Sequence, residues 1–184
     1  MIARFVHLHP NDTHYIISSD TDYIQLISDN VHQYNGITNQ FITLEGYHDE
    51  KGRLVVDKKT KEPKLLGDPQ WHLFMKCMRG DSSDNVFSAY PGVREKGSKN
   101  KVGLTEAYED RNKQGFNWNN MMLQRWTDHN GQEHRVLDDY ERNRHLIDLN
   151  EQPEEIKQQV TTLEKIDIQS ELNNHALLSD YLEK

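Results

Sequence analysis

His14-Tyr15-Ile16-Ile17-Ser18-Ser19-Asp20-Thr21-Asp22-Tyr23-Ile24-Gln25-Leu26-Ile27 begins as an apolar strand signal and passes through a Ser/Asp loop. It ends in an apolar helical face at Tyr23, Leu26 and Ile27, and Val31 to Tyr34 follows as a second short strand. Strand, acidic loop, helix, strand is the order of a βαβ unit, whose ligands gather at the carboxyl ends of parallel strands. The stretch therefore predicts an α/β fold on a parallel sheet, with Asp20 and Asp22 at its functional end. A parallel strand such as His14 to Ser18 is normally covered by neighbours, so it is expected to be buried.

A second acidic stretch, Gly80-Asp81-Ser82-Ser83-Asp84-Asn85, closes the apolar run Leu73 to Met78. Like charges crowded at the ends of buried elements raise one another's pKa and destabilise the fold unless a hard cation neutralises them. The four carboxylates Asp20, Asp22, Asp81 and Asp84 thus point to two oxygen-ligated Mg²⁺ or Mn²⁺ ions, the composition of a phosphodiester-cleaving centre. Asp81 and Asp84, three apart, would share a face of a helical turn, with Ser82, Ser83 and Asn85 orienting them. Each cluster also has a plainer reading: Asp20-Thr21-Asp22 fits a helix cap or a nucleotide-sugar transferase, and Gly80 to Asn85 fits an exposed acidic turn.

The chain has 184 residues, enough for one domain with or without a small appendage. Only 34% of them are hydrophobic, and mean hydropathy is -0.94. Such a chain has a very polar surface or lacks part of its usual core partner. A net charge of -8 argues against indiscriminate phosphate binding, which lysine and arginine drive. The exception is local: Arg94, Lys96, Lys99 and Lys101 crowd together beside the single acid Glu95. A solvated loop is the plainer reading of that run. The lone Cys77 lies in an apolar run and excludes an intrachain disulfide, and no stretch approaches a membrane span. A cytoplasmic protein is expected.

Ile2, Phe5 and Val6 are spaced as an amphipathic helix without an N-cap. Phe41 to Leu44 and Arg53 to Val56 flank Asp49-Glu50-Lys51-Gly52, a predicted hairpin. Asp68-Pro69 supplies an N-cap and a first-turn proline for a helix over Pro69 to Met78. Tyr90-Pro91-Gly92-Val93 reads as a tight turn. Further helices are predicted over Thr105 to Lys113, over Trp118 to Trp126, over Leu137 to Leu149 running into the extended segment Leu146 to Leu149, from Pro153 with Ile156 and Val160 on one face, and over Ser170 to Leu182. Trp71, Trp118 and Trp126 are assigned to the core, and His7, His9 and His14 lack the companions of a zinc site.

Taken together, Ile16 to Leu26, Gly80 to Val86 and Tyr90 to Val93 resemble the 5′→3′ exonuclease and flap endonuclease family. The likeness is closest to the C-terminal half of the ribonuclease H of T-even-like phages, and Arg142 to Leu149 followed by Pro153 extends it over most of the chain. The resemblance implies residues 1–66 as the C-terminal part of a PIN-like nuclease α/β domain. Residues 67–184 become a helical region with a helix-three-turn-helix after Asp84. It implies Asp20, Asp22, Asp81 and Asp84 as ligands of two Mg²⁺ or Mn²⁺ ions, and Arg94, Lys96, Lys99 and Lys101 as contacts to duplex or flap DNA or an RNA/DNA hybrid. A monovalent cation between phosphate and backbone carbonyls, a single-strand-binding protein as partner, and the host cytoplasm of a phage protein belong to the same expectation.

The sequence also departs from the family. Val93 to Leu104 replaces the usual Gly-Ile-Gly-x-Lys-Thr-Ala ending of the turn, and the family's first strand, basic arch and further acids have no counterpart here. Two expectations follow. Either the chain is a two-metal nuclease that needs a separately encoded N-terminal half or a longer true start, or it is a DNA-binding module that does no chemistry.

Overall fold

The computed structural model describes residues 1–99 and 101–163. β1 (His14–Ile17) pairs in parallel with β2 (Val31–Asn35), with His14 opposite Val31 and Ile17 opposite Tyr34. β3 (Gln40–Ile42) and β4 (Tyr47–His48) add antiparallel strands, giving the order β1-β2-β3-β4. The fold is thus mixed α/β around a sheet with one parallel pair.

The crossover from β1 to β2 differs from the predicted helix. It is a six-residue 3₁₀ turn, Thr21–Leu26, and the backbone is already extended at Ile27. A connection this short favours the tighter winding. Burial of β1 is one-sided: His14 and Ile16 point into the protein, whereas Tyr15 and Ile17 are 60% and 79% exposed. β1 is the edge of the sheet and α1 (Ile2–Leu8) covers one face alone, seated by Ala3 and Val6 against Ile16, Leu26 and Val31. Of the predicted Ile2, Phe5 and Val6 face, Val6 is buried while Ile2 and Phe5 are partly exposed, and Ala3 takes a buried place beside Val6.

The predicted hairpin is also reorganised. β3 turns back at once onto β4, with Thr43 N–H donating to Gly46 O at 3.0 Å. Gly46 carries φ +155, and a Cβ there would lie 2.5 Å from Lys64 O. That close approach lets the chain reverse four residues before Asp49. Residues 53–56 then meet β4 from its other side through the His48–Leu54 bridge.

α2 (Pro69–Arg79) begins as predicted, its Asp68 carboxylate accepting from Gln70 N–H at 2.9 Å. α3 (Leu104–Glu109) is shorter than the predicted helix, α4 (Phe116–Met122) starts earlier and stops earlier, and α5 (Val136–Ile147) gives way to extended backbone at Asp148. Trp126, predicted helical, lies on β5 (Arg125–Thr127), which pairs with β6 (Glu133–Arg135). Its indole donates to Ala89 O at 2.9 Å and stacks on His134, contacts that the strand geometry supplies.

The largest core gathers Phe74, Met78, Leu104, Met121, Met122 and Val136, with Trp71, Trp118 and Trp126 packed against it. Gln25 sews this helical part to the sheet: its amide donates to Ile147 O at 3.1 Å and accepts from Leu149 N–H at 2.9 Å. Residues 154–163 are helical, and the predicted helix over Ser170 to Leu182 lies outside the described residues. Among the described residues no helix is long and apolar enough to cross a membrane.

Candidate functional site

Ser18 N–H donates to Tyr34 O at 3.0 Å, so the β1–β2 ladder runs right up to the first acidic loop. Gln33, 1% exposed on β2, then fixes that loop from beneath. Its amide donates to Ser18 O and to Asp20 O, both at 2.8 Å. Asp20 is exposed and caps the 3₁₀ turn, accepting from Asp22 N–H at 2.9 Å. Asp22 is turned inward toward α2, with 20% of its side chain accessible.

The second loop leaves α2 at Gly80, where φ is +76 and a Cβ would stand 2.3 Å from Val86 O. Only glycine fits that crowded left-handed position. Asp81 and Val86 exchange backbone hydrogen bonds at 2.9 and 2.8 Å, closing the loop around the 3₁₀ turn Ser82–Asp84. The Asp81 carboxylate accepts from Ser83 N–H at 3.0 Å and from the Ser83 hydroxyl. Asn143 of α5, fully buried, pins both ends of the segment by donating to Cys77 O at 2.8 Å and Phe87 O at 2.7 Å.

The two loops meet at Lys76, in the last turn of α2. Its ammonium pairs with the Asp22 carboxylate and, at 2.7 Å, with Asp81 Oδ2. The Lys76 hydrogen bond, aided by Ser83, lowers the Asp81 pKa to about 2. Burial of Lys76 opposes its charge, but the bonds to Asp22 and Asp81 outweigh that and raise its pKa.

Asp22 and Asp81, 59 positions apart in sequence, are thereby brought to one cation position. Asp20 and Asp84 are exposed and stand outside this ion-paired group. Among the described residues no group of three or more His, Cys, Asp or Glu side chains is arranged to hold a metal ion. The donor chemistry nevertheless fits a hard divalent cation: two carboxylate oxygens already converge on a positive charge, and that charge is the protein's own. Lys76, Gln33 and Asn143 escaped the sequence reading. The one available signal was a lysine inside the otherwise apolar run Leu73 to Met78.

Past the acidic loop lies an open cavity of about 700 Å³ whose lining includes Tyr90, Arg94, Lys96, Gly97, Ser98 and Lys101. Lys99 is exposed beside it without lining it. The loop bearing these side chains is held by Glu106 of α3, whose carboxylate accepts from Gly97 N–H at 2.9 Å and Gly103 N–H at 2.9 Å. Backbone bonds from Leu104 to Arg94 at 3.0 Å and from Thr105 to Glu95 at 2.8 Å complete the clamp. It presents three cationic side chains on one concave surface, an arrangement suited to phosphate oxygens. Cys77 is fully buried, and burial pushes its thiol up to about 12, which makes it inert.

No family model matches the chain. Over 95 residues, 52% of its length, it is 36% identical to a DNA polymerase I of Rhizobium leguminosarum, of which it spans 8%. Among solved structures it is similar to the T5 D15 protein co-crystallized with metal ions, with a TM-score of 0.46 and 19% identity over 80% of this chain and 49% of that one.

Proposed function

We propose that the chain is the metal- and DNA-binding part of a 5′→3′ exonuclease or flap endonuclease of the phage ribonuclease H type. It would hydrolyse RNA primers and DNA 5′ ends during replication. The observation that carries this reading is the convergence of Asp22 and Asp81 on one cation position. The partial identity to a DNA polymerase I and the basic cavity support it.

Asp22 and Asp81 would hold a Mg²⁺ or Mn²⁺ ion through the oxygens now given to Lys76, with Asp20 beside Asp22 and Asp84 beside Asp81 as the further carboxylates of a two-ion centre. When bound, such ions supply activated water and stabilise the leaving oxygen. The chain's own residues provide the rest. Gln33 and Asn143 hold the two acidic loops, and Arg94, Lys96, Lys99 and Lys101 attract the phosphates of duplex or flap DNA or an RNA/DNA hybrid without reading bases. A helix-three-turn-helix role for residues 86–104, with a monovalent cation between phosphate and backbone carbonyls, belongs to the same reading. So do a cytoplasmic location, the host's if the protein is phage-encoded, and docking of a single-strand-binding protein.

The second reading is a DNA-binding module without chemistry, favoured by the presence of only two carboxylates at the cation position among the described residues. A separately encoded N-terminal half would supply the missing ligands, and the exposed edge strand β1 offers it a place to pair. Cleavage of a labelled 5′-flap substrate with Mg²⁺ separates the readings, run with this chain and with a version extended upstream of Met1. A nuclease cuts in at least one form and loses that activity with Asp22→Asn. Cutting by neither form refutes the nuclease reading and leaves the module.

A further inference from the structure

We propose that Lys76 is a built-in counter-cation: its ammonium occupies the divalent-metal position between Asp22 and Asp81, must leave when a metal enters, and so sets the site's metal affinity below what the carboxylates alone would give. This rests on the reading of Asp22 and Asp81 as metal ligands. No other basic side chain pairs with either carboxylate among the described residues. The Lys76 side chain is 26% accessible and carries its ammonium on a flexible four-carbon stem, so it can swing toward solvent without disturbing α2.

The physical argument is a competition. Asp22 and Asp81 are only 20% and 13% accessible, so facing each other without a cation they repel. Lys76 relieves that repulsion in the metal-free protein and holds the two loops in register. A divalent ion must first break two charge-assisted hydrogen bonds, each stronger than a neutral one. Removing the ammonium abolishes that competition and restores the repulsion, and both changes favour the metal. A salt bridge with a purely structural role predicts the reverse, because its loss would loosen the loops and weaken metal binding.

The test is Mn²⁺ binding to the full chain by calorimetry, with circular dichroism on the same samples. Lys76→Met should bind Mn²⁺ at least about tenfold more tightly than wild type, whereas Lys76→Arg, which keeps a cation in reach, should stay within about threefold. Equal or weaker binding by Lys76→Met overturns the proposal while leaving the metal reading intact. Absence of Mn²⁺ uptake by all three proteins overturns both. A second measurement needs no variant: labelling of the wild-type Lys76 amine should rise severalfold when Mn²⁺ is added, and unchanged labelling in Mn²⁺-bound protein sinks the idea.

Discussion

Replacing Asn143 with alanine removes the pin under the second acidic loop. Its amide nitrogen donates to Cys77 O and Phe87 O, while its oxygen accepts from Arg142 at 3.0 Å, which leaves one sensible orientation of the amide. The side chain is fully buried and its bond to Cys77 O lies in the interior, so that carbonyl has no water as a substitute, while Phe87 O is only partly covered. Each orphaned carbonyl costs about 1–3 kcal/mol, giving a loss of about 2–6 kcal/mol, toward the lower end where Phe87 O regains water. For a chain of this size that is a drop in melting temperature of about 4–24 °C, followed by circular dichroism. Asn143→Asp should fare no better, since a carboxylate offers both carbonyls an acceptor and no donor. Amide exchange at Val86, whose N–H closes the acidic loop on Asp81 O, should accelerate in both variants. A melting temperature for Asn143→Ala within about 2 °C of wild type would refute the reasoning.

Three further outcomes follow from the same geometry. Gly80→Ala forces a side chain into a left-handed position against Val86 O, so it should cost about 1–3 kcal/mol and weaken Mn²⁺ binding with it; a variant as stable as wild type contradicts the assigned loop. The lowered Asp81 pKa contributes stability that is fully present above its ordinary value near 4 and is lost as pH falls through about 2. Solvent screening limits that contribution to about 1 kcal/mol, and acid titration of Asp81→Asn should show a correspondingly flatter decline over this range. The double variant Lys96→Ala/Lys101→Ala should weaken duplex binding and reduce the salt slope of log K by about 2, whereas an unchanged slope removes these residues from the interface.

The parts of this fold written in local chemistry were legible in the sequence. Asp68-Pro69 marks a helix start by side-chain capping and fixed φ, and α2 begins there. Apolar runs on either side of Ser18 to Asp22 announced the parallel pair β1 and β2. Trp126 shows where periodicity misleads: Met121, Met122 and Arg125 keep helical spacing, but the chain leaves the helix at Leu123 and Trp126 settles on a strand against His134 and Ala89. Those partners lie 8 and 37 positions away, beyond what a local pattern can encode.

At the site the same division holds. The two acidic stretches were visible as residue types, and it took the fold to bring Asp22 and Asp81 together on Lys76 while leaving Asp20 and Asp84 exposed. Lys76 reads as a charge interrupting an apolar helix, and its meaning depends on Asp22, 54 positions upstream. Gln33 looks like an ordinary polar residue on a strand, yet it is buried and holds the loop that carries Asp20 and Asp22. Such residues reveal themselves only once the fold has placed two distant carbonyls within reach of one amide.

Anomalous scattering from crystals of this chain grown with Mn²⁺ probes the central idea most directly. The account predicts a manganese peak shared by the carboxylates of Asp22 and Asp81, with the Lys76 ammonium displaced from between them. Well-ordered density showing Lys76 still bridging both carboxylates, and no manganese there at saturating concentration, would contradict it.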